Sequence, residues 1–236
     1  MAVPTIPPLS HRARTVSAEV AAHLERLIAS GTLTAGERLP SERELATTLS
    51  VSRATVREAL TELESKRLVI RQQGRGSTVA ARDDGDEALR TGLGAVEIEL
   101  RNATELRDLV EPRIAALAAQ RAAESNLLQL EDVVAQTNEN LSADESLRLD
   151  REFHTLLAHA AQNPLLVAVS EMTSDWTSSL RARSHATRRA RRVSLAGHRE
   201  ILEAVVANDP IAAEEAMTRH LHEVRALIAA DATSID

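Results

Sequence analysis

The chain has 236 residues and a formal net charge of −7, with 43 % apolar residues, 1 % aromatic residues and no cysteine. Disulfides and thiolate metal sites are excluded, so any metal must be held by histidine and carboxylate. No stretch approaches the ~18 unbroken apolar residues of a membrane span, and no apolar segment follows Met1, so the chain reads as a soluble, cytoplasmic protein with room for two domains.

Residues 1–13, with Pro4, Pro7 and Pro8, read as a flexible N-terminal arm. Val16, Val20, Leu24, Leu27 and Ile28 then fall at helical spacing, and Gly31 stands where a glycine ends a helix. Ser41 and Glu44 form an S-x-x-E capping box, which predicts a second helix running to about Leu49. A third helix starts near Ser52 and turns Val56, Ala59, Leu60 and Leu63 inward. Residues 68–70 and 78–80 predict two short strands, joined by the basic Gln73-Gly-Arg-Gly76 hairpin. Residues 14–81 therefore read as a winged helix-turn-helix.

Residues 82–87 are polar and predict a linker. Beyond them only helical periods occur, at about 88–100, 104–123, 126–141, 143–161, 164–183, 190–207 and 210–230. Ser142 and Glu145 make a second capping box. Asn163-Pro164 and Asp209-Pro210 each place a cap before a proline at the first helical position. Pro112 predicts a kink, and Trp176 shares a period with Leu165, Val169, Met172 and Leu180, which places it in the core. The fold class is mainly α: a winged helix-turn-helix of three helices and a small β-wing, then an all-α antiparallel bundle over 88–230.

Charge divides the same way. Residues 1–82 hold 12 Lys+Arg against 8 Asp+Glu, while residues 83–236 hold 16 against 27. A basic head on an acidic body fits phosphate binding at one end. Arg53 and Arg57 lie one turn apart at the start of the third helix, the part of a recognition helix that enters the major groove. Ser52 and Thr55 are short donors beside them, Arg43 is placed for the DNA backbone, and Gly74 and Gly76 let the wing approach the duplex with Arg75 as its charge. A plain three-helix unit with solvated arginines explains two basic residues, but not the capping box, turn, arginine spacing and basic wing together.

In the second half, Asp150 and His154 lie one turn apart on one helix face. His198 precedes the turn at Asp209 by 11 residues and His220 follows it by 11. On antiparallel helices both histidines stand at the same height, ~16 Å from the turn. Three imidazoles and one carboxylate suit Zn²⁺ or a similar divalent ion such as Ni²⁺ or Mn²⁺. Taken singly, each histidine reads equally as a surface or satisfied core residue, and His159, His185 and His222 lie outside the set. Arg181, Arg183, Arg188, Arg189, Arg191 and Arg192 form a basic run, read as a solvated helix end and loop, with an anion or DNA-backbone contact as the sharper alternative.

Pro40-Ser-Glu-Arg-Glu-Leu-Ala46, Val51-Ser-Arg-Ala-Thr-Val-Arg-Glu-Ala-Leu60 and Gly74-Arg-Gly-Ser-Thr-Val79 resemble the signature of GntR-family transcription regulators. Glu105-Leu-Arg107, Glu111-Pro112, Asp150-x-x-Phe153-His154, Asn163-Pro164, His198-x-x-Ile201 and Met217-x-x-His220 resemble the helical effector domain of the FadR subfamily. The resemblance implies a homodimeric repressor, less often an activator, on a palindromic double-stranded DNA operator, contacted through Arg43, Arg53, Thr55, Arg57 and Gly74. It also implies a divalent ion on Asp150, His154, His198 and His220, and a small carboxylate effector met by Arg107, for which the alternative is an ion pair with Glu111 or Asp108. Gly197 departs from the pattern, since the family usually has an acidic residue there. No catalytic residue is expected. The alternatives are a metalloregulator in which the ion is the signal, and a metal-dependent hydrolase with a DNA-binding head.

Overall fold

The computed structural model describes residues 15–72, 76–81 and 100–233. The expected arm at 1–13, the wing tip with Gly74 and Arg75, the linker at 82–87 and nearly all of the helix expected at 88–100 lie outside the described residues. The chain divides into two compact units, Met1–Val79 and Ala80–Asp236.

In the first unit, α1 (Val16–Ala29) starts at Thr15, whose side chain accepts from the Ala18 N–H. α2 (Glu42–Thr48) carries the full capping box: Ser41 accepts from Glu44 N, and the Glu44 carboxylate accepts from Ser41 N at 2.8 Å. The turn to α3 (Arg53–Ser65) passes through Ser50 at φ 55°, a left-handed residue that reverses the chain within four positions. β1 (Val69–Gln72) and β2 (Gly76–Val79) pair antiparallel with Val69 opposite Val79 and Gln72 opposite Gly76. Leu24, Leu45, Val56, Leu60, Leu63 and Val69 form one buried core. Each such side chain contributes about 1.5–3 kcal/mol on burial.

The second unit contains α4 (Leu100–Arg121), α5 (Glu124–Gln136), α6 (Ala143–Ala160), α7 (Pro164–Trp176), α8 (Ser178–Ser184), α9 (Arg188–Val206) and α10 (Pro210–Thr233). Pro112 lies inside α4 without interrupting it. Asn163 accepts from Leu165 N, and the Asp209 carboxylate accepts from Ile211 N and Ala212 N, so both cap–proline pairs start helices. α9 and α10 form a hairpin, and α10 packs along α4. Ala115, Ala118 and Ala119 are buried on α4, where small side chains let neighbouring helices come close around Phe153, Leu157, Ile201 and Met217.

Two expectations need correction. The helix expected at 164–183 is broken at Thr177 into α7 and α8. Trp176 is half-buried rather than core, and Leu165 on its period is 54 % exposed. The period was apolar, but that face of α7 is only partly covered.

Candidate functional site

In the first unit, Arg43 on α2 and Arg53 and Arg57 on α3 are exposed. Ser52 is the N-cap of α3: its hydroxyl oxygen accepts from Thr55 N at 3.0 Å and lies 2.8 Å from the Thr55 hydroxyl. The Arg57 Nη2 donates to Glu42 Oε2 at 2.9 Å. Arg71 of β1 donates to Glu42 Oε1 at 3.2 Å and to Thr61 at 2.9 Å. One carboxylate at the start of α2 thus ties α3 to the wing strand. Its hydrogen bond with Arg57 lowers the Glu42 carboxyl and raises the Arg57 guanidinium. Arg38 is a further cation that the sequence pattern did not single out; a Cβ at Gly76 (φ +87°) would stand 3.4 Å from its Nη2.

In the second unit, α6 brings Asp150 and His154, α9 brings His198 and α10 brings His220 to one place. All four are buried, and one donor atom from each lies within 4.8 Å of the others. Asp150 Oδ1 stands 3.6 Å from His154 Nε2 and 3.4 Å from His198 Nε2. The His198 ring stacks on Phe153 at 4.1 Å, which fixes its plane, and its centroid lies 4.8 Å from that of His220. His154 Nε2, His198 Nε2 and His220 Nδ1 are buried without a hydrogen-bond partner. Such groups are costly unless something else meets them, and this donor set fits a divalent ion.

Gly197 explains the close approach of α9 and α10. A Cβ there would meet Cγ of His220 at 2.9 Å and clash with Nδ1 more closely still. Gly197 therefore leaves the room that His220 occupies where α9 and α10 meet.

The charges around the cluster are arranged, not incidental. Arg181 donates from Nη1 to Asp150 Oδ2 at 2.7 Å and from Nη2 to Glu111 Oε1 at 2.8 Å. Arg107 Nε donates to the same Glu111 oxygen at 2.7 Å, and Glu111 Oε2 faces His154 Nδ1 at 3.1 Å. Burial alone would raise the Asp150 carboxyl, but Arg181 and then His154 outweigh it and hold it well below the usual range. Glu111 is held down in the same way against its burial, by Arg107 first, then His154 and Arg181. Burial pushes His198 down to about 4 despite Asp150. His220 is pushed well down by burial and then by His198 and His154. Both imidazoles are neutral at neutral pH, the form that ligation needs.

Arg181 corrects the reading of the basic run as a solvated stretch, because it is 1 % exposed and among the largest fully buried side chains. Glu111, Arg181 and His185 reach the cluster although the sequence pattern did not place them there. Glu111 had one local signal, its i+4 spacing from Arg107. Thr173, Thr177, Arg181 and Ser184 are buried at helical spacing across the junction at Thr177, but this stripe is polar, so an apolar period gave no sign of where Arg181 points.

Comparison with known proteins finds two family matches in separate parts of the chain. Residues 16–79 match the family described as bacterial regulatory proteins, gntR family, and residues 102–223 match the FCD domain. The Uxu operon transcriptional regulator of Escherichia coli is 31 % identical over 221 residues, spanning 88 % of this chain and 84 % of that protein. The HTH-type transcriptional regulator YcbG of Bacillus subtilis is 30 % identical over 215 residues, 90 % of this chain and 89 % of its own. The HTH-type transcriptional repressor NanR of Escherichia coli is 29 % identical over 222 residues, with 90 % and 84 % covered.

Proposed function

The chain belongs to the gntR family of bacterial regulatory proteins and carries an FCD domain, and from that premise we propose that it is a repressor whose hold on its operator is set by a divalent ion and a small organic acid. It is a DNA-binding transcription regulator with an FCD effector domain, not an enzyme. In this reading it is a FadR-subfamily protein, works as a cytoplasmic homodimer and binds a palindromic operator through Arg43, Ser52, Arg53, Thr55, Arg57 and the wing residues Gly74 and Arg75. Repression is supported by the likeness to NanR, whose name calls it a repressor.

One observation carries the ion: four buried donors on three helices face one another, with imidazole nitrogens that nothing else satisfies. Asp150, His154, His198 and His220 would hold it, with Zn²⁺ as the first expectation and Ni²⁺ or Mn²⁺ as alternatives. When bound, the ion supplies a Lewis-acidic anchor for an oxygen of the effector. The chain's own part is to neutralise the acid with Arg107 in a buried site, where charge interactions are strong. The effector shifts operator affinity only through a difference in its own affinity for the two arrangements of the heads.

A second reading has one observation in its favour. Arg107 already spends Nε on Glu111, which suits a regulator that answers to the ion alone. Operator binding by the chelator-treated full chain, then with metal added back, then with a panel of organic acids, separates the two. Release that needs an acid in the presence of metal supports the proposal. Release by metal alone, with no acid effective, would replace it with the second reading.

Arg57→Ala is expected to weaken binding to the duplex selected by the unaltered protein roughly 5- to 150-fold, if Arg57 reads a base edge. Fluorescence anisotropy across a salt series checks it. Unchanged affinity and salt slope would remove α3 from the groove.

A further inference from the structure

Asp150 is the only carboxylate among the four proposed ion-holding residues, and how it presents its oxygens decides how the ion would be held. Oδ2 is committed to Arg181 at 2.7 Å. Oδ1 faces three imidazole nitrogens: His154 Nε2, His198 Nε2 and His185 Nε2 at 3.3 Å. The first two belong to the four-donor set. His185 does not.

His185 caps the C-terminus of α8 and is 2 % exposed. Its Nδ1 lies 2.8 Å from the hydroxyl of Ser146, itself buried one turn before Asp150 on α6. Its Nε2 is buried with no hydrogen-bond partner of good geometry, and the group it faces is Asp150 Oδ1. The ionised carboxylate can only accept, so the stable tautomer carries its hydrogen on Nε2. Nδ1 is then an acceptor, and the Ser146 hydroxyl donates to it. The Ser146 O–H thus donates to His185 Nδ1, and the His185 Nε2–H faces Asp150 Oδ1 across 3.3 Å.

We propose that Ser146 and His185, with Arg181, are positioning residues that restrict Asp150 to presenting one oxygen, Oδ1, to a divalent ion. Arg181 removes Oδ2 from use, and the Ser146–His185 pair sets the direction of Oδ1. A carboxylate held at one oxygen leaves coordination positions on the ion for water or an effector oxygen. A freely rotating carboxylate has the option of binding through both oxygens and taking two. Groups behind a ligand act through its orientation, and their loss costs about 10- to 100-fold in metal affinity. This inference rests on the metal-binding reading proposed above.

The test is Co²⁺ titration of the chelator-treated full chain, read by visible absorption and by competition with a chromophoric chelator. The unaltered chain is compared with Ser146→Ala, His185→Ala and His185→Gln. His185→Ala is expected to lower affinity about 10- to 100-fold with one ion per chain and an unchanged band pattern. Ser146→Ala, the mildest change, is expected to lower affinity several-fold, with circular dichroism as the folding control. His185→Gln keeps an N–H donor and is expected to recover most of the loss. Wild-type affinity in Ser146→Ala and His185→Ala would overturn the inference alone. A His185→Ala spectrum that has lost an imidazole ligand would make His185 a ligand and overturn its positioning role. No Co²⁺ binding by the unaltered chain would overturn the metal reading, and this inference with it.

Discussion

Replacing Arg181 by methionine is expected to destabilise the helical unit by about 3–5 kcal/mol, the range for breaking a buried ion pair from one side. Arg181 is 1 % exposed and its two Nη groups bridge Asp150 and Glu111. Methionine fills much of the volume but leaves Asp150 Oδ2 buried opposite nothing, while Glu111 keeps Arg107. The cost therefore falls on the uncompensated carboxylate rather than on packing. Arg181→Met combined with Asp150→Asn is expected to recover part of the loss, because the buried charge is removed too. Trp176 is the single tryptophan and lies on α7, so its fluorescence in a urea titration follows this unit rather than the first. A loss below about 1 kcal/mol, or no recovery in the double variant, would mean that the bridge contributes little against its own desolvation.

Much of the fold was legible because its signals are local. The Ser41–Glu44 box, the Asn163-Pro164 and Asp209-Pro210 pairs and the 3.6-residue periods each act within one turn of helix. Part of the cluster was legible for the same reason. Asp150 and His154 share a helix face, and the symmetry of His198 and His220 about a helical hairpin needs only the rise per residue. Arg181, His185 and Glu111 were not legible. They join the cluster through contacts 31, 39 and 70 residues apart in sequence. A charged residue also defaults to solvent unless its partner is known. Arg181 inside an arginine run had no mark to separate it from Arg188, which is exposed, and the buried stripe that it continues from Thr173 and Thr177 is polar, so no apolar period pointed to it. Glu42 was hidden differently. It is an ordinary acidic residue in the first turn of a helix, and only the tertiary approach of β1 shows that it holds Arg57 and Arg71 together.

Removing two of the four proposed ion-holding residues has the largest expected effect on binding. His154→Ala with His220→Ala leaves Asp150 and His198. Four-donor Zn²⁺ sites bind with about 10–16 kcal/mol, so losing half the donors is expected to weaken the ion on the order of 10⁴-fold and abolish stoichiometric metal. Both rings are buried, so the alanine pair also opens cavities that could soften the bundle. His154→Gln with His220→Gln keeps polar side chains of similar length and separates lost ligation from lost packing. Elemental analysis of the purified full chain, with circular dichroism as the folding control, reads the outcome. The core of the first unit contains none of these residues, so operator binding is expected to persist while its response to chelator and to organic acids disappears. One metal per chain retained in the folded alanine or glutamine pair would place the ion elsewhere. Loss of metal together with an unchanged acid response would detach the effector from the ion and leave Arg107 as its anchor.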